Sequence, residues 1–213
     1  MDANLTIELI KLIPAILWFL LAVVLVLLFY KPIRHNLLPQ LSAFKALGME
    51  FSFVRESIST AIEVAEKSKK WEVTIPEEDR ISVENRVRKH LHLFRHVRIL
   101  WIDDVPENNR DVEEMFNRLN VRLDNATGTE EALSKLKHHQ YDVILSDMVR
   151  DGDQTAGLKF LAQYSRQKKR VPVIFYVGTI DPEKGVPPKA FGITHRPDEL
   201  LHLILDVLER RKY

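Results

Sequence analysis

Between residues 97 and 210, short apolar runs alternate with amphipathic helical patterns, and this alternation constrains the chain more than any other feature. The runs are 97–102, 121–126, the stretch ending at Asp147, 171–177 and 191–195. Between them, Val112, Met115, Phe116 and Leu119 make a helical stripe after Pro106. Ala132, Leu133 and Leu136 mark a helix over 129–138, and Leu158, Leu161 and Tyr164 one over 157–167. A last helix is expected over 197–210. Val143, Ile144 and Leu145 form an unbroken apolar run, the pattern of a strand buried on both faces. Strands alternating with helices imply a parallel sheet covered on both sides, so the fold class is α/β, a five-stranded doubly wound parallel sheet. The stretch 178–190, GTIDPEKGVPPKA, carries too much Pro and Gly for a full helix.

Two of these strands end in carboxylates. Asp103 and Asp104 close VRILWIDD, and Asp147 follows VILS in YDVILSDMVRDGD. In open parallel sheets, chemistry sits beyond the carboxyl ends of the strands. If the two strands are neighbours, three carboxylates stand close together and resist joint ionisation unless a cation is present. The pattern therefore predicts a hard divalent ion with oxygen ligands, most simply Mg²⁺, and favours phosphoryl chemistry, because Mg²⁺ is typically completed by phosphate oxygens. Arg150, Asp151 and Asp153 add charge in the following loop; they read as a solvated loop rather than a modified metal or phosphate environment.

Composition narrows the field. Lys plus Arg (31) nearly balances Asp plus Glu (30), which argues against a dedicated nucleic-acid binder. The absence of cysteine excludes disulfides, thiolate metal sites and cysteine nucleophiles. No Ser-His-Asp order, Walker loop, HExxH or helix-turn-helix is visible.

Residues 12–30 contain no charged side chain, and 14 of the 19 are Leu, Ile, Val or Phe. At scale values for the helix centre they would favour membrane insertion by about 4 to 8 kcal/mol, an upper figure. The run lacks the basic flank and small-residue cleavage site of a signal peptide. It is expected to be an N-terminal transmembrane anchor covering residues 1–30. Lys31, Arg34 and His35 follow it, against Asp2, Glu8 and Lys11 ahead of it, so a single pass with the C-terminal bulk in the cytoplasm is expected.

Residues 31–95 read as a juxtamembrane connector and helical stalk, and 96–213 as the α/β domain. Pro32 and Pro39 punctuate the connector. Met49, Phe51 and Phe53 alternate with Glu50 and Ser52 as in a short strand. Val54, Ile58, Ala61, Ile62 and Ala65 then share one face of a helix running to about Lys70. A second helix begins near Pro76, has Glu77, Glu78 and Asp79 in its first turn, and carries Val83, Val87, Leu91 and Phe94. Two readings of the pair stand open: a stalk that transmits signals or dimerises through residues 54–95, or an extension packed on the following domain. The basic run Arg86, Arg88, Lys89, His90, His92, Arg95, His96 and Arg98 reads as a solvated helix face, with attraction to anionic lipid as the alternative. His90 and His92, two apart on a helix, point in different directions and do not form a metal pair.

WIDDVPENNR, VILSD, PVIFYVG and FGITHRPDEL, in this order and spacing, resemble the receiver domain of bacterial two-component response regulators over about residues 96–212. The resemblance implies a flavodoxin-like receiver fold with Asp147 as phosphoacceptor. It implies Mg²⁺ held by Asp103, Asp104 and Asp147, with the Val149 backbone carbonyl completing the shell. Two positions depart from the pattern. Val177 stands where the family has a Thr or Ser that hydrogen-bonds the phosphoryl group, with Thr179 two residues on. Arg196 before Pro197 replaces a lysine, keeping the charge as partner for the phosphoryl group or Asp147 but with a different reach. The shortened stretch 178–190 falls where a helix of the family's relay face would lie.

The implied partners are a histidine kinase or small phosphodonor, a downstream protein and the membrane, with no nucleic acid. The implied location is the inner (cytoplasmic) membrane. No enzymatic activity is expected beyond self-phosphorylation from a phosphodonor and autodephosphorylation. A haloacid-dehalogenase-like phosphatase would need an acid where Val149 stands. The alternative to phosphoacceptance is a pseudo-receiver, a membrane-tethered interaction or assembly module that is never phosphorylated.

Overall fold

The computed structural model describes residues 14, 16–25, 38–68, 73–167, 170–181, 183 and 185–211. The chain divides into two compact units, residues 1–50 and 51–213. In the first, residues 16–25 are helical, and Ile16, Leu17, Trp18, Phe19, Leu20, Leu21, Val23, Val24 and Leu25 are exposed. The rest of the apolar run 12–30, apart from Pro14, lies outside the described residues. No helix among the described residues is long and apolar enough to cross a membrane.

The second unit holds the predicted sheet. Strands β1 (Arg98–Ile102), β2 (Arg122–Ala126), β3 (Val143–Ser146), β4 (Val173–Tyr176) and β5 (Gly192–Thr194) are ordered β2-β1-β3-β4-β5, and every neighbouring pair is parallel. The helices are α1 (Leu38–Lys67), which begins in the first unit, α2 (Glu77–His90), α3 (Arg110–Arg118), α4 (Thr129–His138), α5 (Ala156–Tyr164) and α6 (Pro197–Arg210). Short 3₁₀ turns occupy Leu91–Phe94 and Pro106–Asn109. No helix occurs between β4 and β5 among the described residues, as the Pro and Gly content of that stretch predicts.

Strand alternation divides the core into two layers. Ile99, Trp101, Val143, Leu145, Ile174 and Tyr176 pack with Val112, Met115 and Phe116 of α3 and with Leu200, Leu201, Ile204, Leu205 and Leu208 of α6. Leu100, Ile102, Ile144, Val173 and Phe175 pack with Ala132 and Leu133 of α4 and with Phe160, Leu161 and Tyr164 of α5. Trp101 meets Phe116 and Tyr176 edge-on, with centroids 6.2 and 5.8 Å away. Leu158, expected inward on α5, is exposed, and Phe160 takes the inward position.

The stretch 49–53 is helical, not a strand: it belongs to α1. Val54, Ile58, Ala61 and Ile62 of α1, with Val83 and Val87 of α2, are fully or almost fully buried in the same layer as α6. Arg86 of α2 reaches Asp206 at 2.5 Å and Glu209 at 3.2 Å on α6, and Glu66 of α1 accepts from the Ile75 N–H and from Arg80. The two helices are therefore an extension packed on the sheet domain. The apolar stripes of residues 54–95 are largely buried within the chain, while Val64 and Ile81 stay exposed.

Candidate functional site

Strand pairing brings the three predicted acids together. β1 and β3 are neighbours, with Ile102 opposite Ser146, so Asp103, Asp104 and Asp147 follow at one sheet edge. One carboxylate oxygen from each lies within 4.8 Å of the others. Asp103 is nearly buried and held from both sides: the Val105 N–H donates to Oδ1 at 2.8 Å and Asn109 Nδ2 to Oδ2 at 2.7 Å. Asp104 accepts the Asp151 N–H at 2.7 Å, and Asp147 accepts the Met148 N–H at 2.7 Å.

Burial is the largest influence on Asp147 and raises its carboxyl above the usual range; repulsion from Asp103 and Asp104 adds to this, while the Met148 and Val149 N–H groups oppose it. Such a donor set of hard oxygens, whose mutual repulsion the Arg150 guanidinium partly offsets, fits a small divalent cation and fits no soft metal.

The loop after Asp147 is not solvated at its first charge. Arg150 is 3% exposed. Its guanidinium donates to Ser146 Oγ at 2.8 Å, the Asp147 carbonyl at 3.1 Å, Thr129 Oγ1 at 3.1 Å and the Ala156 carbonyl at 3.0 Å. Reading it as solvated was wrong because its acceptors come from three other elements, which loop composition does not reveal. Asp151 and Gly152 have φ of 48° and 78°, and Arg150 and Asp153 exchange backbone hydrogen bonds across them. This two-residue turn is the kind Asp-Gly favours. Asp153 is half-buried; the bonds it accepts from Lys159 and Thr155 hold its carboxyl low, at about 2.

Gly157, which no motif in the sequence singles out, sits against the acid's backbone. A Cβ there would meet the Asp147 carbonyl at 2.7 Å and Phe175 at 2.8 Å, so only glycine lets α5 approach the acid's backbone. Asn109, inside the WIDDVPENNR motif, was likewise not singled out as a support for Asp103.

The other expected site residues lie along the same edge. Val177 follows β4, is buried and donates its N–H to the Thr194 carbonyl, whereas Thr179 is exposed. Arg196 follows β5. Its Nη2 donates to Asp79 and Asp198, each at 2.6 Å, and its Nε to Asp198 at 3.2 Å. Its hydrogen-bond partners are thus carboxylates of α2 and α6, where pairing with Asp147 was the expectation. A cavity of about 580 Å³, lined by Arg95, His96, Val97, Arg98, Asn120 and Arg122, lies at the opposite, amino-terminal end of β1 and β2 and is separate from the acids.

Residues 99–193 match the family model of the response regulator receiver domain. No curated protein matches the chain. Among solved structures, the chain is similar to the response regulator TrrA of Thermotoga maritima in complex with Mg²⁺ and BeF, with 23% identity, TM-score 0.46, and 52% of this chain and 98% of that one covered. It is also similar to the chemotaxis response regulator CheY4 of Vibrio cholerae, with 22% identity, TM-score 0.42 and coverage of 54% and 97%. The receiver domain of the Francisella response regulator 1452 gives 20% identity, TM-score 0.47 and coverage of 55% and 99%. The family match spans the sheet from Ile99 to Ile193 and includes the three acids, so this part of the chain is similar to a response regulator receiver domain.

Proposed function

We propose that the chain is a membrane-anchored receiver that accepts a phosphoryl group on Asp147 and acts through protein contacts. The supporting observation is the convergence of Asp103, Asp104 and Asp147 within 4.8 Å at the end of two adjacent strands. A carboxylate oxygen of Asp147 attacks the phosphorus of a phosphohistidine or small phosphodonor. The P–N or P–O bond to the donor breaks, and the leaving group departs with the bonding electrons. Asp103, Asp104, Asp147 and the Val149 carbonyl would hold Mg²⁺, which neutralises charge on the transferring group when bound.

The full chain in detergent micelles, titrated with beryllofluoride and Mg²⁺ and followed by ¹⁹F NMR, tests this. A bound resonance that requires Mg²⁺ and is absent in Asp147→Asn supports the reading; indifference to both reagents returns the chain to the non-phosphorylated module.

Anchoring rests on the charge-free run 12–30 and on the exposed apolar side chains of residues 16–25. Retention in the membrane pellet after alkaline carbonate washing is the expected result, with protease reaching residues 73–213 only from the cytoplasmic side. Release into the wash would overturn it.

A further inference from the structure

We infer that the turn Arg150–Asp153 is a clamp that sets the spacing between Asp104 and Asp147, with Arg150 as a positioning residue for the site. The inference rests on the reading of that site as a divalent-cation and phosphoryl site.

Two contacts from adjacent residues carry it. The Arg150 guanidinium holds the main-chain carbonyl of Asp147, while the N–H of the next residue, Asp151, holds Oδ2 of Asp104. Asp104 follows β1 and Asp147 follows β3, so one tight turn grips the acids of two strands. The turn is itself fixed, because Arg150 and Asp153 exchange N–H to carbonyl bonds at 3.2 and 2.8 Å. The far side of the guanidinium is tied to Thr129 at the start of α4 and to Ala156 at the start of α5. Those helices pack on the sheet and do not depend on a ligand, so the clamp stands on the scaffold.

A guanidinium on a residue that is 3% exposed is costly unless its donors are satisfied, and four acceptors engage both of its Nη groups. Lysine would bring the charge but not the planar fork that reaches Ser146 and Asp147 on one side and Thr129 and Ala156 on the other. The clamp holds the acids in a ligand-ready arrangement before any cation arrives, so that binding does not have to order them.

The test uses the full chain in micelles, with Mn²⁺ as the probe followed by electron paramagnetic resonance and Tm measured in parallel. Removing groups that orient metal ligands typically lowers affinity ~10 to 100-fold, and Arg150→Met is expected in that range, with Arg150→Lys between it and the wild type. Where Arg150→Met does not fold, Gly152→Val decides: φ of 78° strains the new side chain, but a Cβ there meets nothing within 4 Å, so the turn opens without disturbing the core. A loss of Mn²⁺ affinity in Gly152→Val at unchanged Tm supports the clamp. Mn²⁺ affinity within twofold of the wild type in the folded variants overturns it. A wild-type chain that binds no Mn²⁺ refutes the site reading itself, which separates the two failures.

Discussion

Arg196 grips Asp198 through two bonds, Nε to Oδ1 at 3.2 Å and Nη2 to Oδ2 at 2.6 Å, and with the same Nη2 reaches Asp79 on α2. Asp198 is 1% exposed, so without that guanidinium its carboxyl would lose its ion-pair partner in a buried setting. Removing one partner of a buried pair costs far more than the pair contributes. Arg196→Ala should therefore lose about 3 kcal/mol in urea unfolding. Asp79 is much more exposed, and Asp79→Asn should cost under about 1 kcal/mol.

The raised carboxyl of Asp147 has a sign that can be checked. The folded state holds its proton longer than the unfolded chain does, so stability falls as pH rises from the ordinary value of 3.8 through the raised one. Asp147→Asn removes this penalty. Without divalent ions, the variant should exceed the wild type at pH 7 by on the order of 1 kcal/mol, and the gap should vanish below the ordinary carboxylate range. Thermal melts across pH, with and without Mg²⁺, measure it; Mg²⁺ should narrow the gap at neutral pH.

Gly157→Ala forces a methyl group against the Asp147 carbonyl and the Phe175 ring. The expected cost is about 1 to 3 kcal/mol, as for other overpacked sites. Mn²⁺ affinity should fall as well, because the displaced backbone carries the acid. Ala156→Gly, one residue earlier, gives a control for backbone entropy.

Val177→Thr supplies a hydroxyl at the position where the resemblance implies a Thr or Ser. Hydrogen bonds to charged acceptors are worth about 1.5 to 3 kcal/mol, so beryllofluoride should bind roughly tenfold tighter or more. Unchanged affinity would mean that the end of β4 does not face the phosphoryl position.

The sheet and its three acids were legible because burial on both faces writes itself as unbroken apolar runs, and because a strand's end can be read from where Val143, Ile144 and Leu145 give way to Asp147. Helices 129–138 and 197–210 fall where their stripes and the Pro197 start place them. Met49, Phe51 and Phe53 misled because five alternating residues are too few to separate a strand from a helix, and Phe53 is in fact exposed beside buried Val54. Arg196 and Asp79 are 117 positions apart, and Arg150 finds Thr129 21 positions away. No local pattern announces such partners: they follow from how the sheet brings the helix starts together.

The cavity of Arg95, His96, Arg98 and Arg122 and the trio of Asp103, Asp104 and Asp147 sit at opposite ends of the same strands, about 17 Å apart for five residues of strand. Arg98 is paired with Asp124, and Arg150 stands among the acids, so neither end carries charge of one sign alone. An anion drawn to the exposed Arg95 at the first end and a cation held by the acids at the second would each meet a separate local field.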